Sequence, residues 1–414
     1  MSDRKPRILV LNSCVSGGGP GRGLTLYLEQ AAEDFDFHVV LPEPGVVGGK
    51  VPPGVTVHLL PELLERPLRP TQRWAHALPG LNLAFGLANL SIAARKLCAL
   101  ARAIDADLVY ANHMLAKPLA VWVGARADIP VVLHARNIHS QRRTEKIFFQ
   151  SLGKRRHVKS VIANSEATAA CFREVVPHKV TVIPNFVDLE RFDRGAVQGQ
   201  LRSELGLEDD ALVVGYLGRL AHWKGVGHLV DAFARVAATE PRAVLAIVGD
   251  NDSGRRLDLK AHYVERAAAS GLGDRVHFLG FRDDVRPYLV DFDVLALPST
   301  APEPFGRVLI EAMALGIPPV IYAHGGAKEV VRDRQDGLWA RPLDIADLAD
   351  KLTELLADDA LRARCAQQGA AHARLSFDAK SLSQSLSSAL RRAARPAEAG
   401  AGAAHLQGQA TMGR

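Results

Sequence analysis

The sequence contains few cysteine residues, and its composition lacks the bias that marks a non-globular protein. Four of the 414 residues are cysteines, and they form no C-x-x-C pair: Cys14, Cys98, Cys171 and Cys365. Such scattered cysteines argue against a disulfide framework or a thiolate zinc site and favour a reducing compartment. Aromatic residues make up 6%, apolar residues 48% and charged residues 23% of the chain. These values exclude disordered, collagen-like and low-complexity proteins.

The sequence also lacks a long apolar segment. Its first residues lead into only four strongly apolar residues, Ile8 to Leu11, a run too short for the core of a signal peptide. Residues 74–94 contain no Lys, Arg, Asp or Glu, but Pro79-Gly80 divides them and leaves the fourteen residues 81–94. A stretch of that length is more typical of a core or interfacial helix than of a membrane span. We therefore expect no transmembrane segment and a cytoplasmic protein.

The excess of positive charge lies in one segment. The chain has 51 Lys and Arg residues against 45 Asp and Glu residues, a net charge of +6. Residues 141–159 hold seven basic residues and one acidic residue, again +6, together with Ile147, Phe148, Phe149 and Leu152. This segment is either a solvated helix face or a patch for an anionic surface, such as membrane phospholipid or a phosphorylated acceptor. No recognition-helix pattern accompanies it, so we expect no nucleic-acid partner.

Short β-branched runs alternate with helical stretches along most of the chain, which predicts parallel sheets built from βαβ units. The predicted strands are 8–11, 37–41, 108–111, 131–134, 161–164 and 180–183 in the first half, and 212–217, 244–248, 276–279, 294–297 and 319–322 in the second. We therefore expect an α/β protein with two Rossmann-like, doubly wound domains that face each other across a crevice.

A chain of 414 residues has room for two or three domains. Between the two series of strands lies a polar segment that begins near Pro184 and reads as a linker. The predicted organisation is a first domain at 1–187, a second domain at 188–376, a helix at 377–396 that packs back toward the first domain, and a disordered tail at 397–414.

Each predicted domain begins with a strand, a glycine-containing turn and a helix. In the first turn, residues 16–23, glycine lets the backbone approach a ligand, and the following helix offers free N–H groups to an anion. This turn lacks the G-x-G-x-x-G spacing of dinucleotide-binding proteins, and a simple tight turn is the alternative. In the second turn, Arg219 and Lys224 could hold a diphosphate and stabilise it as a leaving group without a metal. The alternative there is a pair of solvated charges.

The strongest feature of the sequence is residues 303–316, which contain two glutamates eight positions apart. Pro304 favours an extended conformation at Glu303, because proline disfavours a helical residue before it. Gly306 can begin a helix, and Glu311 then lies in its second turn, on the same face as Arg307. The free N–H groups at the start of this helix favour a phosphate. One carboxylate could accept sugar hydroxyls, and the other a ribose diol.

Taken in order, these motifs resemble those of the retaining glycosyltransferases of family four, also called glycosyl transferases group 1, which have the GT-B fold. The matching residues are the glycine-rich first turn, Gly218-Arg219 with Lys224-Gly225, Glu303-Pro304-Phe305-Gly306 through Glu311, Gly316-Ile317-Pro318, Gly325-Gly326, Glu329 and Asp336-Gly337. They occur in the order of the family and cover most of the chain, most densely in its second half.

The resemblance implies roles for individual residues. The implied donor site consists of Gly18, Arg219, Lys224, Arg282, Phe305, Gly306, Val308 and Glu311, and the implied catalytic residues are Glu303, His134, Arg219 and Lys224. Within these sets, Arg219 and Lys224 would bind the donor diphosphate, and Glu311 the ribose hydroxyls. Glu303 would contact hydroxyls of the transferred sugar, and the backbone near Arg282 would contact the base.

A histidine at the end of a first-domain strand contacts the donor sugar in this family. His134 ends the predicted strand 131–134, where α/β sheets place their ligands. Arg136 could share or take that role, and His113, which follows the strand 108–111, is a competitor. His113 and Arg136 are therefore also candidates for the acceptor side.

The implied reaction moves a sugar from a nucleoside-diphosphate sugar to a hydroxyl of a glycan or lipid-linked acceptor, in the synthesis of bacterial-type surface polysaccharide or glycolipid. A UDP-sugar is favoured, and a GDP-sugar is the rival. No cofactor and no metal are expected. Three D-x-D runs resemble the metal-binding motif of the other large glycosyltransferase fold, but they lack its context: Asp105-Ala106-Asp107, Asp250-Asn251-Asp252 and Asp291-Phe292-Asp293.

Three other functions fit less well. A nucleotide-sugar epimerase could use the same two-domain scaffold, but the charged residues of the motifs fit transfer better. A non-catalytic partner subunit would be expected to have lost some of them. An NAD-dependent oxidoreductase is the weakest alternative, because neither first turn has the fingerprint spacing. Because residues 141–159 and the apolar helix at 81–103 both lie in the predicted acceptor domain, we expect peripheral association with the inner face of a membrane.

Overall fold

The computed structural model describes residues 4–13, 19–44, 51–63, 79–139, 142–251 and 258–394, and for residues 79–88 it describes the backbone alone. Gly18, in the predicted donor site, and the predicted tail at 397–414 lie outside the described residues. So does Asp252, the last residue of one D-x-D run.

The described chain forms two sheets in which all strands are parallel. The first has seven strands in the order β3-β2-β1-β4-β5-β6-β7. These strands are β1 (Arg7–Leu11), β2 (Asp36–Leu41), β3 (Thr56–Leu59), β4 (Leu108–Ala111), β5 (Val131–Ala135), β6 (Val158–Ala163) and β7 (Val180–Val182).

The second sheet has six strands in the order β10-β9-β8-β11-β12-β13. They are β8 (Leu212–Leu217), β9 (Ala243–Val248), β10 (Val276–Gly280), β11 (Val294–Leu297), β12 (Pro319–Tyr322) and β13 (Leu338–Ala340). The structure confirms the predicted fold class of two doubly wound α/β domains. It adds two strands to the predicted set, β3 and β13, each at an edge of its sheet.

Helices cover both faces of each sheet, which is why the central strands are continuous apolar runs rather than alternating ones. Their bounds are α1 (Gly19–Ala31), α2 (Pro79–Ala103), α3 (Ala116–Ala127), α4 (Arg143–Gly153), α5 (Glu166–Arg173), α6 (Leu201–Leu205), α7 (Val226–Thr239), α8 (Leu259–Ala269), α9 (Arg286–Leu289), α10 (Arg307–Ala314), α11 (Ala327–Val330), α12 (Ile345–Ala357), α13 (Asp359–Ser376) and α14 (Ala379–Ala393). Across the ranges described, no helix combines the length and apolar character needed to cross a membrane.

The last helix, α14, returns to the first domain and packs against α1. The hydroxyl of Tyr27 lies 3.1 Å from that of Ser387. Arg391 forms an ion pair with Asp34 (2.6 Å) and lies over the ring of Phe35. The chain therefore crosses between the domains twice, once near residue 187 and once before α14.

Gly225, between β8 and α7, has a backbone conformation and surroundings that exclude a side chain. Its φ is +74°, and a Cβ there would lie 1.8 Å from the carbonyl oxygen of Pro298. We expect Gly225→Ala to lower the free energy of unfolding by about 3 kcal/mol, because the steric clash adds to backbone strain of about 1 kcal/mol. Urea denaturation measures this loss.

Gly271→Ala is the matched control for this variant. Gly271 has a similar φ of +71°, but no atom lies within 4 Å of its Cβ position. Gly271→Ala should therefore lower the free energy of unfolding only by the cost of backbone strain, about 1 kcal/mol. Equal losses in the two variants would show that the contact with Pro298 does not constrain the turn.

Candidate functional site

The carboxyl ends of the two sheets face each other, and groups from both domains meet there. The hydroxyl of Ser165, which follows β6, donates to the carbonyl of Pro304, which follows β11 (2.6 Å). The carboxylate of Glu329 in α11 accepts the backbone N–H groups of Glu166 and Ala167 at the start of α5 (2.6 and 2.9 Å). These contacts hold the turn between β11 and α10 against the first domain across the crevice.

Lys224 and Glu303, both predicted as catalytic residues, form an ion pair in this crevice. Lys224 Nζ lies 2.7 Å from Glu303 Oε2, and the two side chains are 14% and 8% exposed. They meet because β8 and β11 are neighbours in the sheet, which brings the turns after these strands together. The ammonium also lies over the ring of Trp223, 4.3 Å from its centroid. The pair places a cation and a carboxylate side by side in an environment with little water.

Further hydrogen bonds hold Glu303 in position. Ser299 donates its hydroxyl to the same carboxylate oxygen (2.8 Å), and His324 Nε2 lies 2.6 Å from the Ser299 carbonyl. The carbonyl of Glu303 accepts the N–H of Gly326 (2.7 Å). At Gly325 a Cβ would lie 2.5 Å from this carbonyl oxygen, so the backbone approach requires glycine. The carboxylate is therefore oriented before any ligand binds.

The start of α10 lies next to this ion pair. Gly306 has a φ of +87° and precedes the helix, whose first turn contains a hydrogen bond from Leu309 N–H to the Gly306 carbonyl (2.9 Å). N–H groups before that bond, including that of Val308, have no acceptor within the helix, an arrangement that favours a phosphate. The ring of Phe305 packs edge-on against Phe377 in the core. Its backbone is thus the part available to a ligand.

Glu311 is buried in α10 and pairs with Arg307 one turn earlier, as their spacing predicts. Arg307 Nη2 lies 3.1 Å from Glu311 Oε1. Arg307 Nη1 also reaches the carbonyl of Gly19 at the start of α1 (3.4 Å). Arg307 therefore connects the predicted ribose carboxylate to the first domain.

Two other predicted donor residues lie in turns of the second domain. Arg219 lies two residues after the end of β8 and is exposed. The side chain of Arg282 donates to the hydroxyl of Tyr288 (2.7 Å) and pairs with Glu204 (2.6 Å). Because this guanidinium is committed to its own domain, a contact with a base would come from the Arg282 backbone, as the family resemblance implies.

On the first-domain side, His134 lies in β5 and is 3% exposed. Its Nδ1 forms a hydrogen bond with the hydroxyl of Tyr110, and among the described residues no partner reaches its Nε2. Burial lowers the pKa of His134 well below 6.5, and the charges of Arg136 and Lys117 lower it further. The imidazole is therefore neutral at pH 7, and its Nε2 can form a hydrogen bond with a ligand.

The two alternative candidates lie on the same side of the crevice. Arg136 donates to the side-chain oxygens of Asn112 (3.2 Å) and Asn185 (2.8 Å). His113 Nδ1 lies 2.6 Å from the hydroxyl oxygen of Ser13, and burial lowers the pKa of His113 to about 4. The structure thus brings both candidates to the carboxyl end of the first sheet, next to the turns after β4 and β5.

The structure adds Lys117, in the first turn of α3, to the residues near this site. Lys117 is fully buried, and its Nζ lies 3.4 Å from His139 Nε2, whose Nδ1 lies 2.8 Å from Glu145 Oε1. Burial lowers the pKa of Lys117 to about 7, and the charge of Arg136 acts in the same direction. No signal in the sequence marks this residue, because a single lysine in a helix is usually solvated.

The aspartates of two D-x-D runs have structural partners. Asp293 accepts hydrogen bonds from Arg202 (2.9 Å) and from the backbone N–H of Val213 (2.7 Å). Asp107 pairs with Arg4 (2.9 Å). Within the part of the chain that the structure describes, no three His, Cys, Asp or Glu side chains are close enough to hold a metal ion.

Three buried histidines at this site make folding sensitive to acid. Burial lowers the pKa of His113 and His139 to about 4, and that of His134 well below 6.5. Below pH 6.5 the unfolded chain binds protons that the folded chain excludes, so stability falls as the pH falls toward 4. Between pH 7 and 5.5 we expect a loss of about 1 kcal/mol per histidine, measured by urea denaturation at both pH values.

Single substitutions test the origin of this acid sensitivity. His113→Asn should reduce the difference in unfolding free energy between the two pH values by about 1 kcal/mol, since it removes one titrating group. His178→Asn, at an exposed position, is the control and should leave the difference unchanged. An unchanged difference in His113→Asn would mean that this histidine is protonated in the folded chain at pH 5.5.

Comparison with known proteins yields matches over both halves of the chain. The family model described as Glycosyltransferase Family 4 matches residues 17–191, and the model described as Glycosyl transferases group 1 matches residues 197–372. Among curated proteins, the D-inositol 3-phosphate glycosyltransferase of Stackebrandtia nassauensis is 33% identical over 286 residues, which are 64% of each chain. For the corresponding proteins of Salinispora arenicola and Salinispora tropica, the match spans less than half of their length, 46% and 43%.

Solved structures with the same two-domain architecture include HepE of Anabaena. The HepE structure in complex with UDP and glucose has a TM-score of 0.77 and 26% identity, and the match covers 94% of this chain and all of that one. The HepE structure in complex with UDP-glucose also has a TM-score of 0.77, with 27% identity over 93% of this chain and 99% of that one. The sucrose-phosphate synthase of Thermosynechococcus elongatus, at 22% identity and a TM-score of 0.74, is similar in fold.

Proposed function

Because this chain belongs to the glycosyltransferases that the group 1 and family 4 models describe, we propose that it transfers a sugar from a nucleoside-diphosphate sugar to an acceptor hydroxyl, with retention of configuration and without a metal. The observation that carries this proposal is the buried ion pair of Lys224 and Glu303 beside the start of α10. It puts a cation for a leaving diphosphate next to a carboxylate for sugar hydroxyls.

The charges of the crevice suit such a transfer. As the bond between the anomeric carbon and the diphosphate breaks, negative charge grows on the diphosphate and positive charge on the sugar. The negative charge on the diphosphate would be stabilised by Lys224, Arg219 and the N–H groups at the start of α10. Glu303, held by Ser299, would orient the sugar, and neutral His134 would contact it from the first domain. The acceptor oxygen would bond to the anomeric carbon on the face that the diphosphate leaves, and the hydroxyl proton would pass to the departing diphosphate oxygen.

UDP is the favoured nucleotide and GDP the rival. The HepE structures contain UDP with glucose and UDP-glucose, and HepE shares the architecture of this chain over most of its length. Glu311, buried and paired with Arg307, is positioned for a ribose diol. Because the base would be contacted mainly by backbone near Arg282, the side chains at the site discriminate little between bases.

The contacts across the crevice support a reaction from which water is excluded. Ser165 bonds to Pro304, and Glu329 bonds to the start of α5. Both contacts hold the Glu303 turn against the acceptor domain, where an acceptor hydroxyl would have to lie. Excluding water from this space favours transfer to the acceptor over hydrolysis of the donor.

Nucleotide binding tests the proposed donor. We expect calorimetric titration with UDP, GDP, ADP and NAD in EDTA to show binding of a nucleoside diphosphate, with UDP or GDP favoured, and no binding of NAD. Failure of every nucleoside diphosphate to bind would favour the partner-subunit alternative, and binding of NAD alone would contradict the assignment of the second domain. With the base known, UDP-sugars or GDP-sugars can be screened for product, and loss of activity in EDTA would contradict metal independence.

We also propose that the acceptor is a glycan or a lipid-linked sugar, met at the inner face of a membrane by a cytoplasmic protein that associates peripherally. The basic face of the first domain carries this proposal. It consists of the exposed residues Arg142, Arg143, Ile147, Phe148, Lys154, Arg155, Arg156 and Lys159. Ile147 and Phe148 are 55% and 47% exposed in α4, whereas the next residue, Phe149, is buried. Exposed apolar side chains in a segment rich in exposed cations suit an anionic bilayer surface.

Vesicle flotation tests the basic face. The protein should float with vesicles of phosphatidylglycerol and phosphatidylcholine, but not with phosphatidylcholine alone. Replacing Arg142, Arg143, Arg155 and Arg156 by serine should lower the affinity about 1,000-fold, since each cation contributes about 1 kcal/mol near an anionic surface. Arg364→Ser and Arg374→Ser, exposed in α13 of the second domain, are control substitutions. If the intact protein does not float with anionic vesicles, the proposal is wrong.

A further inference from the structure

Two guanidinium groups from different domains meet beside α1. Arg136 follows β5 of the first domain, and Arg307 begins α10 of the second. The Cβ position of Gly23 lies 3.1 Å from Arg307 Nη1 and 3.4 Å from Arg136 Nη1. Both cations therefore lie against the same point on the α1 surface. Burial lowers the pKa of Arg136, and the charge of Arg307 acts in the same direction.

The surroundings provide little negative charge for these two cations. Arg136 donates to the neutral side chains of Asn112 and Asn185. Such partners orient the guanidinium without neutralising it. Arg307 pairs with Glu311, and among the described residues its buried Nε has no hydrogen-bond partner. Of the two guanidinium groups, Arg307 is thus paired with a carboxylate and Arg136 is held by neutral amides.

Like charges held together away from water are unfavourable unless an anion lies between them. The planar donor array of arginine matches phosphate oxygens. The first turn of α1, a helix of 13 residues, adjoins the Arg307 side chain and adds positive potential. Arg307 donates to the Gly19 carbonyl of that turn. Each of these features suits a phosphate group.

We propose that Arg136 and Arg307 form a phosphate site in the crevice that is distinct from the Arg219 and Lys224 pair. The phosphate is either that of the nucleotide donor or one carried by the acceptor. The identity of the phosphate, donor or acceptor, rests on the proposed function. The existence of the site is inferred from the two guanidinium groups alone. Gly23 borders the site, because a Cβ there would lie 3.1 Å from Arg307 Nη1 and would leave that guanidinium little room.

Titration with UDP, UMP and uridine tests the donor source. If the site holds a donor phosphate, Arg307→Gln and Arg136→Gln should each weaken UDP binding at least tenfold and leave uridine binding within a factor of two. Arg102→Gln is the control, because Arg102, near the end of α2, donates to the Arg126 carbonyl (2.8 Å) within the first domain and is not part of the cation pair. It should bind UDP like the wild type.

Titration of the UDP-saturated protein with inorganic pyrophosphate tests the acceptor source. If the site holds an acceptor phosphate, the saturated wild type should bind one pyrophosphate, and both glutamine variants should lose this binding. Arg307→Lys and Arg136→Lys, which keep the charge, should retain part of the affinity for whichever ligand binds. Thermal unfolding of each variant shows whether it is folded. If a glutamine variant is not folded, the lysine variant at the same position takes its place in the titrations.

The outcomes separate this inference from the proposed function. The phosphate site is overturned, and the donor site stands, if three results occur together. These are that the wild type binds UDP, that the glutamine variants bind UDP equally well, and that the UDP-saturated wild type binds no pyrophosphate. If the wild type binds no nucleoside diphosphate, the proposed function fails. Binding of pyrophosphate that both arginine substitutions abolish would then still support the phosphate site.

Discussion

Lys224→Met is expected to weaken UDP binding about 100-fold and to lower sugar transfer about 1,000-fold. Lys224 Nζ is the cation next to Glu303 in the proposed diphosphate site, and it lies over the ring of Trp223. Methionine keeps most of the apolar stem and its contact with that ring, but it removes the charge. A charge-assisted contact to a phosphate contributes about 3 kcal/mol to binding. The loss in rate exceeds the loss in affinity because negative charge on the diphosphate grows in the transition state.

Calorimetry with UDP and a product assay with the identified UDP-sugar measure these two losses. Lys351→Met is the control, since Lys351 pairs with Glu354 on the outer helix α12. It should leave both quantities unchanged. Full activity in Lys224→Met would show that this lysine has no part in the mechanism. If the variant loses affinity for UDP but no further rate, Lys224 stabilises the ground state and the transition state equally.

The central strands of both sheets could be predicted closely from the sequence. β4, β8, β11 and β12 have the predicted bounds, because each is an apolar run covered by helices on both faces. The edge strands gave no such signal. β3 has mostly exposed side chains, and β13 has only three residues. Both form because a neighbouring strand offers a free edge, a property of the folded sheet rather than of the segment.

The local part of the site was also predictable, and the long-range part was not. Gly306, Arg307 and Glu311 lie within two helical turns, so their relation follows from helix periodicity. The pairing of Lys224 with Glu303, 79 residues apart, follows from strand order, which the motifs alone do not give. Lys117 was missed for a related reason. Its burial depends on how His139 and its neighbours pack over α3.

Contacts between the domains could not be inferred from either half of the chain. Ser165 has the sequence context of a helix cap, and it does cap α5. Its hydroxyl also donates to Pro304, 139 residues away. Glu329 occurs in a family motif whose spacing says nothing about its partner, the N–H groups at the start of α5. These interactions depend on the relative placement of two separately folded sheets.

Glu303→Gln is expected to produce the opposite combination of effects from Lys224→Met. Sugar transfer should fall about 100-fold to 1,000-fold, because the proposed hydrogen bonds from the sugar would lose a charged acceptor. UDP binding should be unchanged or tighter, since UDP carries no transferred sugar and Lys224 would be released from its ion pair. Glutamine retains an oxygen for the Ser299 hydroxyl, and the backbone bond to Gly326 does not depend on the side chain.

The same binding and product assays distinguish the two variants. Glu354→Gln is the control, because Glu354 accepts from Arg334 and Lys351 on the outer face of the second domain. Weaker UDP binding in Glu303→Gln would mean that the carboxylate chiefly positions Lys224 for the diphosphate. In the double variant, the loss of rate should then be no larger than in Lys224→Met alone. If the two residues act on different parts of the donor, the double variant should lose more activity than either single variant.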